Sequence, residues 1–408
     1  MKCRILDITR TISRVGAGHP TGIDRVERAY IKAYLELFPH AIFLAKLSNG
    51  YFALDPDDMV RFVNANFGNT LNTGIGLKDL VRLKLSLPRR RAQSFIRKNA
   101  IWSFDDNRSL KSESYFPESF DYTNVGHSNL TNGFLSDLKS KGCEDIRVMI
   151  HDMIPLDFPE YCQPKTPNGF LLKMQAVATY ADEVICNSQH TKSRVETYFA
   201  DWINNVSYVV APLGVEPHFK QVENPKMLPT QFTILGTIEP RKNHQLLLDV
   251  WTKLSKELSN SEMPILNIVG KRGWENKSFF DQLDASPLLG RKIIEYSRLN
   301  DFNLNELLNN STALLFPSFT EGYGLPALEA LALEVPVICS DIPVFKELLG
   351  SNVHMLPSDN VELWSAKILE ILKETPKWII SERKNLKNFT IPTWSAHFRH
   401  VFQEYRSE

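Results

Sequence analysis

Short apolar runs alternate along this chain with longer stretches in which apolar residues recur every three to four positions. Runs of the first kind lie at Arg4–Thr9, Ala41–Leu47, Arg147–Ile150, Glu183–Cys186 and Ser207–Ala211. They return more regularly at Phe232–Leu235, Ile265–Val269, Ile293–Tyr296, Ala313–Phe316, Val337–Cys339 and Val353–Leu356. Their lengths and bounding turn residues predict strands. The periodic stretches predict helices over Gly22–Leu37, Gln245–Leu258, Asn303–Asn309, Pro326–Leu333, Pro343–Leu349 and Val361–Leu372. In Gly22–Leu37, one face carries Ile23, Val26, Tyr30, Ala33, Tyr34 and Leu37; in Gln245–Leu258, it carries Leu246, Leu247, Val250, Trp251, Leu254 and Leu258.

Strand–helix alternation predicts parallel sheets covered by helices on both faces. Two such blocks flank Glu216–Pro229, a polar stretch that reads as a linker. The predicted fold class is α/β: two Rossmann-like, doubly wound domains over residues 1–215 and 230–390, facing a central cleft. Residues 49–120 are less regular and read as an insertion in the first domain. Ligands of such folds bind beyond the carboxyl ends of the strands, so the cleft is the expected site.

The 408 residues suffice for two cores. Lys+Arg and Asp+Glu are equal at 47 each, so no global charge points to nucleic acid. The five cysteines are scattered, with no C-x-x-C pair, which speaks against a disulfide framework or a zinc knuckle. Cys186 and Cys339 lie in apolar runs and read as buried thiols. Met1–Arg10 lacks the apolar core of a signal peptide, and no stretch approaches the roughly 20 apolar residues of a membrane span. A cytoplasmic chain is expected. The densest basic run includes Arg82, Lys84, Arg89, Arg90 and Arg91, with leucines between. It reads either as a solvated helix pair or as a contact with anionic lipid, on the inner face of the membrane, or with a phosphate-bearing acceptor.

The most informative segment is Phe316–Leu331, which follows a strand and opens a helix. Gly322 and Gly324 permit a tight turn and close approach to a ligand. Pro326 suits the first helical turn, whose free amides favour an anion such as a diphosphate. Glu321 and Glu329 bracket this turn. A carboxylate repels phosphate, so its chemistry fits sugar or ribose hydroxyls instead. Acids for a sugar beside amides for a phosphate suit a nucleotide-sugar.

Three further segments end strands in the same way. Leu235–Asn243 carries Arg241 and Lys242, adjacent cations placed to neutralise a leaving diphosphate. Val148–Pro155 ends a strand in His151-Asp152, with Asp152 able to orient the imidazole. Gly16–Arg25 joins the first strand to the first helix, with Thr21 as a cap and Gly22 open to a phosphate.

Together these segments resemble the retaining glycosyltransferases of family 4 (glycosyl transferases group 1), which have the GT-B fold. Glu321 and Glu329 fall on the two positions of their E-x7-E motif. The resemblance implies that Glu321 contacts the donor sugar and Glu329 the ribose. It puts the amides of Gly322, Tyr323, Gly324 and Leu325 on the diphosphate. It gives Arg241 and Lys242 the leaving group, and places His151 near the donor sugar as a hydrogen-bonding group. Gly22 takes the place of a glycine in the family's first loop, where two adjacent glycines are common and Thr21-Gly22 stands here. Arg298 and Leu299 lie where the family binds the nucleobase. Trp394–Tyr405, within residues 391–408, resembles the helix that packs back on the first domain.

The function implied is transfer of a hexose (mannose, glucose or rhamnose) from a nucleotide-diphosphate-sugar to a glycan or lipid-linked acceptor, as in bacterial surface polysaccharide synthesis. The resemblance implies no metal and no other cofactor. The paired acids Asp57-Asp58 and Asp105-Asp106 read as turn or surface residues. The competing reading is a catalytically silent GT-B scaffold that binds a partner. A dinucleotide oxidoreductase is disfavoured, because no strand–Gly-x-Gly-x-x-Gly–helix is present.

Overall fold

The structure, a computed structural model, describes all residues except 1–2, 19, 49, 81, 105–115, 203–205, 217–229, 275, 298 and 403–408. Arg298, Asp105-Asp106 and almost all of the expected linker therefore lie outside the described residues, as does the end of the Trp394–Tyr405 stretch.

Among the described residues the strands form two sheets. The first contains β1 (Cys3–Asp7), β2 (Ile42–Leu47), β3 (Gly50–Leu54), β4 (Trp102–Phe104), β5 (Phe120–Asn124), β6 (Cys143–Ile150), β7 (Glu183–Cys186) and β8 (Ser207–Val210). Their order is β4-β3-β2-β1-β5-β6-β7-β8. The second contains β9 (Gln231–Leu235), β10 (Ile265–Val269), β11 (Ile293–Tyr296), β12 (Ala313–Phe316), β13 (Val337–Ser340) and β14 (His354–Leu356), in the order β11-β10-β9-β12-β13-β14. The second sheet is parallel throughout. Its inner strands Ala313–Phe316 and Val337–Ser340 are mainly apolar and buried at every position, as strands covered on both faces are.

Chain order reverses at two places, β1/β5 in the first sheet and β9/β12 in the second. A crevice opens at such switch points, because the connections leave toward opposite sides. The loops after β1 and β5 and those after β9 and β12 are therefore the ones that can meet a ligand between the sheets.

Residues 49–120, expected to be irregular, instead carry β3, β4 and the helices Pro56–Asn64, Leu77–Leu80 and Leu87–Asn99. β3 pairs antiparallel with β2 and with β4, widening the first sheet at one edge. The expected strand list also lacked β5. Its polar Asp121, Thr123 and Asn124 obscured it, yet all three are buried, and Thr123 accepts from Tyr34 Oη at 2.7 Å.

The Gly22–Leu37 helix starts with a capping box between Thr21 and Asp24 and buries Val26, Ala29, Tyr30, Ala33 and Tyr34. The Trp394–Val401 helix lies on it. Tyr30 Oη and His397 Nε2 share a hydrogen bond of 2.8 Å, and Phe398 and Phe402 pack edge-on to Tyr30. Cys186 and Cys339 are buried free thiols. One apolar cluster runs without a break from Ile8 and Tyr30 through Leu325 and Leu328 to Phe402, so the two sheets share a core at the cleft floor. No helix among the described residues is long and apolar enough to cross a membrane.

Candidate active site

The site is built from the carboxyl ends of the two strands at the second switch point. After β9, Pro240–Lys242 form a single 3-10 turn, and Asn243 follows in the left-handed region (φ 55°). Asparagine tolerates that conformation, and its side-chain amide then reaches Pro317 O at 3.1 Å and Ser358 O at 2.7 Å. The Phe319 amide donates to Arg241 O at 2.9 Å. The two loops are thereby locked together, and their charges converge.

Glu321 is the point of convergence. Its Oε2 accepts from Arg241 Nη1 at 2.7 Å, and its Oε1 from Lys242 Nζ at 2.5 Å and Ser318 Oγ at 2.7 Å. Burial alone would raise its pKa, but the two cations outweigh burial and hold the carboxyl at about 2. Lys242 is shifted downward, by burial first and by Arg241, against the pull of Glu321. Its ammonium also lies 4.7 Å from the Phe316 ring centroid. Arg241 is shared with Glu239 at 2.7 Å. The result is a preorganised pair of cations held by carboxylates, with Arg241 lining the cleft and Lys242 buried behind it.

The loop after β12 turns at Gly324 (φ 98°), which precedes the Leu325–Ala332 helix. A Cβ there would meet Phe345 at 2.7 Å, so both backbone and packing call for glycine. Within this segment the structure separates backbone from side-chain roles. Tyr323 Oη donates to Leu213 O at 3.0 Å, tying the loop to the first domain. Leu325 lies against Gly22, 3.7 Å from where a Cβ would stand. Glu329 is buried and forms an ion pair with Arg25, from the Gly22–Leu37 helix of the other domain; a short helix, Thr9–Arg14, lies between the first strand and that helix, where the sequence suggested a loop alone. Burial dominates over that cation and pushes the Glu329 carboxyl up to about 7.

Across the cleft, β6 ends in His151-Asp152. His151 Nε2 lies 2.8 Å from Val125 O, so that nitrogen carries the proton and Nδ1 is left as an acceptor. Burial lowers its pKa to about 4, which keeps the ring neutral. Asp152 is raised by burial, with Arg241 opposing. A Cβ on Gly322 would lie 2.8 Å from Asp152 Oδ2 and 2.9 Å from His151 O, so His151, Asp152, Arg241 and Glu321 occupy one small volume. A cleft of about 280 Å³ opens beside them, lined by Asp152, Tyr161 and Thr166 on one side and Glu239, Arg241 and Trp274 on the other. Leu299, half-buried just beyond β11, is two strands away from β9.

Two participants escaped sequence reading. Asn243 was noticed only as a boundary. Arg25 had a readable signal: it is a cation in the first turns of a helix, where the dipole disfavours it, and Glu329 accounts for it.

Residues 215–390 match the family model described as glycosyl transferases group 1. Among curated relatives, the serotype-specific mannosyltransferase WbdA of Escherichia coli is 31% identical over 273 residues, 61% of this chain and 32% of that protein. The O-antigen chain mannosyltransferase RfbU of Salmonella typhimurium is 25% identical over 225 residues, 55% of this chain and 60% of that protein. The match thus spans about a third of the length of the WbdA relatives. Anabaena HepE, solved in complex with UDP and glucose, aligns with a TM-score of 0.64 at 12% identity over 100% of both chains. Sucrose-phosphate synthase from Thermosynechococcus elongatus aligns with a TM-score of 0.64 at 14% identity over 100% of this chain and 99% of the other. Those two likenesses show the architecture, the GT-B fold, and residues 215–390 form a domain that matches the glycosyl transferases group 1.

Proposed function

We propose that this chain is a retaining hexosyltransferase of family 4 that works in the cytoplasm. It moves mannose from a nucleotide-diphosphate-sugar to a glycan or lipid-linked acceptor in surface polysaccharide synthesis. The observation that carries this reading is the convergence of Arg241 and Lys242 on Glu321 at the second switch point, facing His151. The choice of mannose is supported by the relatives named mannosyltransferases.

When a donor enters, its diphosphate takes over Arg241 and Lys242, and Glu321 is released to accept hydrogen bonds from sugar hydroxyls. Glu329 takes the ribose. His151 Nδ1 accepts from a hydroxyl of the sugar. The C1–O bond to the diphosphate breaks toward the two cations, and the acceptor oxygen bonds to C1 on the same face. The acceptor proton passes to an oxygen of the departing phosphate. This assignment gives the leaving-group charge to two side-chain cations and helix amides, which supports a reaction without a metal.

The test is a thermal-shift panel of UDP, GDP, dTDP and CMP with their sugars, on wild type and Lys242→Ala. One nucleotide diphosphate should stabilise wild type and not the variant. The product of the matching α-linked donor should be an α-glycoside by NMR. Stabilisation by none of them at millimolar ligand would overturn the transferase reading, and a β-glycoside would overturn retention.

A further inference from the structure

A second group of cations lies outside the site just described, on the first-domain rim. The loop following the Thr9–Arg14 helix and the start of the Leu87–Asn99 helix meet there: a Cβ on Gly16 would stand 2.3 Å from Ser86 Oγ and 3.5 Å from Pro88 Cβ. The second domain reaches the same loop through Lys271, whose Nζ donates to Ala17 O at 3.0 Å. Arg14, Arg82 and Arg89 gather at this junction.

Their neutralisation is incomplete. Arg82 donates to Gln93 Oε1 at 3.2 Å and to Ser48 Oγ, neither of which is an acid. Arg14 Nε reaches Asp24 at 3.1 Å, but the same carboxylate also serves Arg10 at 2.7 Å. Arg89 has no hydrogen-bond or ion-pair partner among the described residues, and its buried Nε, like those of Arg90 and Arg91, meets no acceptor. Burial lowers the Arg89 pKa, and repulsion from Arg14 and Arg82 adds to it. Arg89 and Arg90 also stand in the first turn of their helix, where the dipole opposes cations. Like charges held together, partly desolvated and short of counter-charge, are costly unless an anion completes them.

We propose that this rim is a phosphate subsite for the acceptor: Arg14, Arg82 and Arg89 hold a phosphate or diphosphate group that the acceptor carries. The inference rests on the transferase reading above. Guanidinium forks match phosphate oxygens in bidentate fashion. The donor's diphosphate has its own cations in Arg241 and Lys242, so the rim is left for a second anion. Arg14 connects it to the cleft through Asp24 of the Gly22–Leu37 helix, whose first residue faces Leu325 of the donor loop. The rival occupant is an anionic bilayer, favoured by exposed Leu80, Leu83 and Leu87 nearby. The buried Arg89 Nε and the enclosure of Gly16 by Ser86 favour a discrete anion.

The experiment is calorimetric titration of the full chain with inorganic pyrophosphate and, separately, with the nucleotide diphosphate found in the panel above. Wild type, Arg89→Gln, Arg89→Lys and Lys242→Ala are compared. Wild type should bind pyrophosphate at two sites. Arg89→Gln should weaken one of them about tenfold or more, Arg89→Lys should keep part of that affinity, and Lys242→Ala should weaken the other. Loss of nucleotide binding alone strikes the transferase reading and leaves the rim site measurable. Sedimentation with phosphatidylglycerol vesicles separates the rival. Unchanged pyrophosphate binding in Arg89→Gln overturns the proposal, and vesicle binding lost in that variant would then assign the rim to the bilayer.

Discussion

Arg241 and Glu321 stand 80 positions apart in the chain and meet at 2.7 Å, through Nη1 and Oε2. The contact exists because β9 and β12 are neighbours at a switch point, so the loops that follow them leave from adjacent strand ends. With Lys242 and Glu239 it makes a small cluster of two cations and two carboxylates, whose cations are already oriented. On the proposed mechanism, replacing Lys242 or Arg241 with alanine removes charge that holds the donor's diphosphate and stabilises it as it leaves. Each should lower kcat by about 10²–10³-fold, with circular dichroism unchanged. Glu321→Gln should lose turnover as well while keeping its shape. Steady-state rates with the donor identified by thermal shift are the check, and near-normal kcat in Lys242→Ala would remove it from the site.

Glu329 behaves in the opposite way to Glu321. The Arg25 ion pair does not offset the loss of solvent, and the carboxyl sits at about 7 against an ordinary 4.5. A proton held more tightly in the folded state stabilises the fold fully below about pH 4.5, and this contribution is lost as pH rises through about 7. Urea unfolding of wild type should therefore show stability falling between pH 5 and 8, by on the order of 3 kcal/mol from this group. Glu329→Gln should flatten that slope. A slope unchanged in the variant would mean that Glu329 ionises normally.

How much of this was legible depends on how local the signal is. β7, β10 and β12 are four- or five-residue, mainly apolar and mainly buried runs, β11 is a short half-buried edge run, and the sequence locates all four directly. β5 was hidden because its polar side chains are satisfied by partners far away in sequence, such as Tyr34 for Thr123. Glu321, Arg241 and Lys242 sit in loops whose character is set by adjacent glycine, proline and asparagine, so they could be singled out. The pairings of Tyr323 and Glu329 could not, even though Arg25 stands out as a cation near a helix start. Leu213 and Arg25 belong to the other domain, and no periodicity or spacing connects them.

Tyr323 Oη donating to Leu213 O is a buried polar link between the domains. Tyr323→Phe preserves the ring and leaves that carbonyl without its donor. Stability should fall by about 1–3 kcal/mol, read as an earlier urea midpoint. Turnover should fall less than for Lys242→Ala, because the hydroxyl faces the first domain and not the Arg241–Glu321 cluster.

Gly322 sets how closely the two domains approach at the candidate site. A methyl group there would stand 2.8 Å from Asp152 Oδ2 and 2.9 Å from His151 O. The carboxylate could rotate away, but the His151 carbonyl is fixed, since it accepts from Asn187 Nδ2 at 2.8 Å. The strain must therefore be relieved by moving the loop, which carries Glu321 with it. Overpacking of this kind costs about 1–3 kcal/mol. A displacement of even part of an ångström between His151 and Glu321 should lower kcat by about 10²-fold. Gly322→Ala should thus combine a modest drop in melting temperature with a large loss of turnover. Donor affinity should suffer less, because Arg241 and Lys242 are carried by the separate loop after β9. Full kcat at an unchanged melting temperature would mean that the protein in solution holds its domains further apart at this point than they stand here.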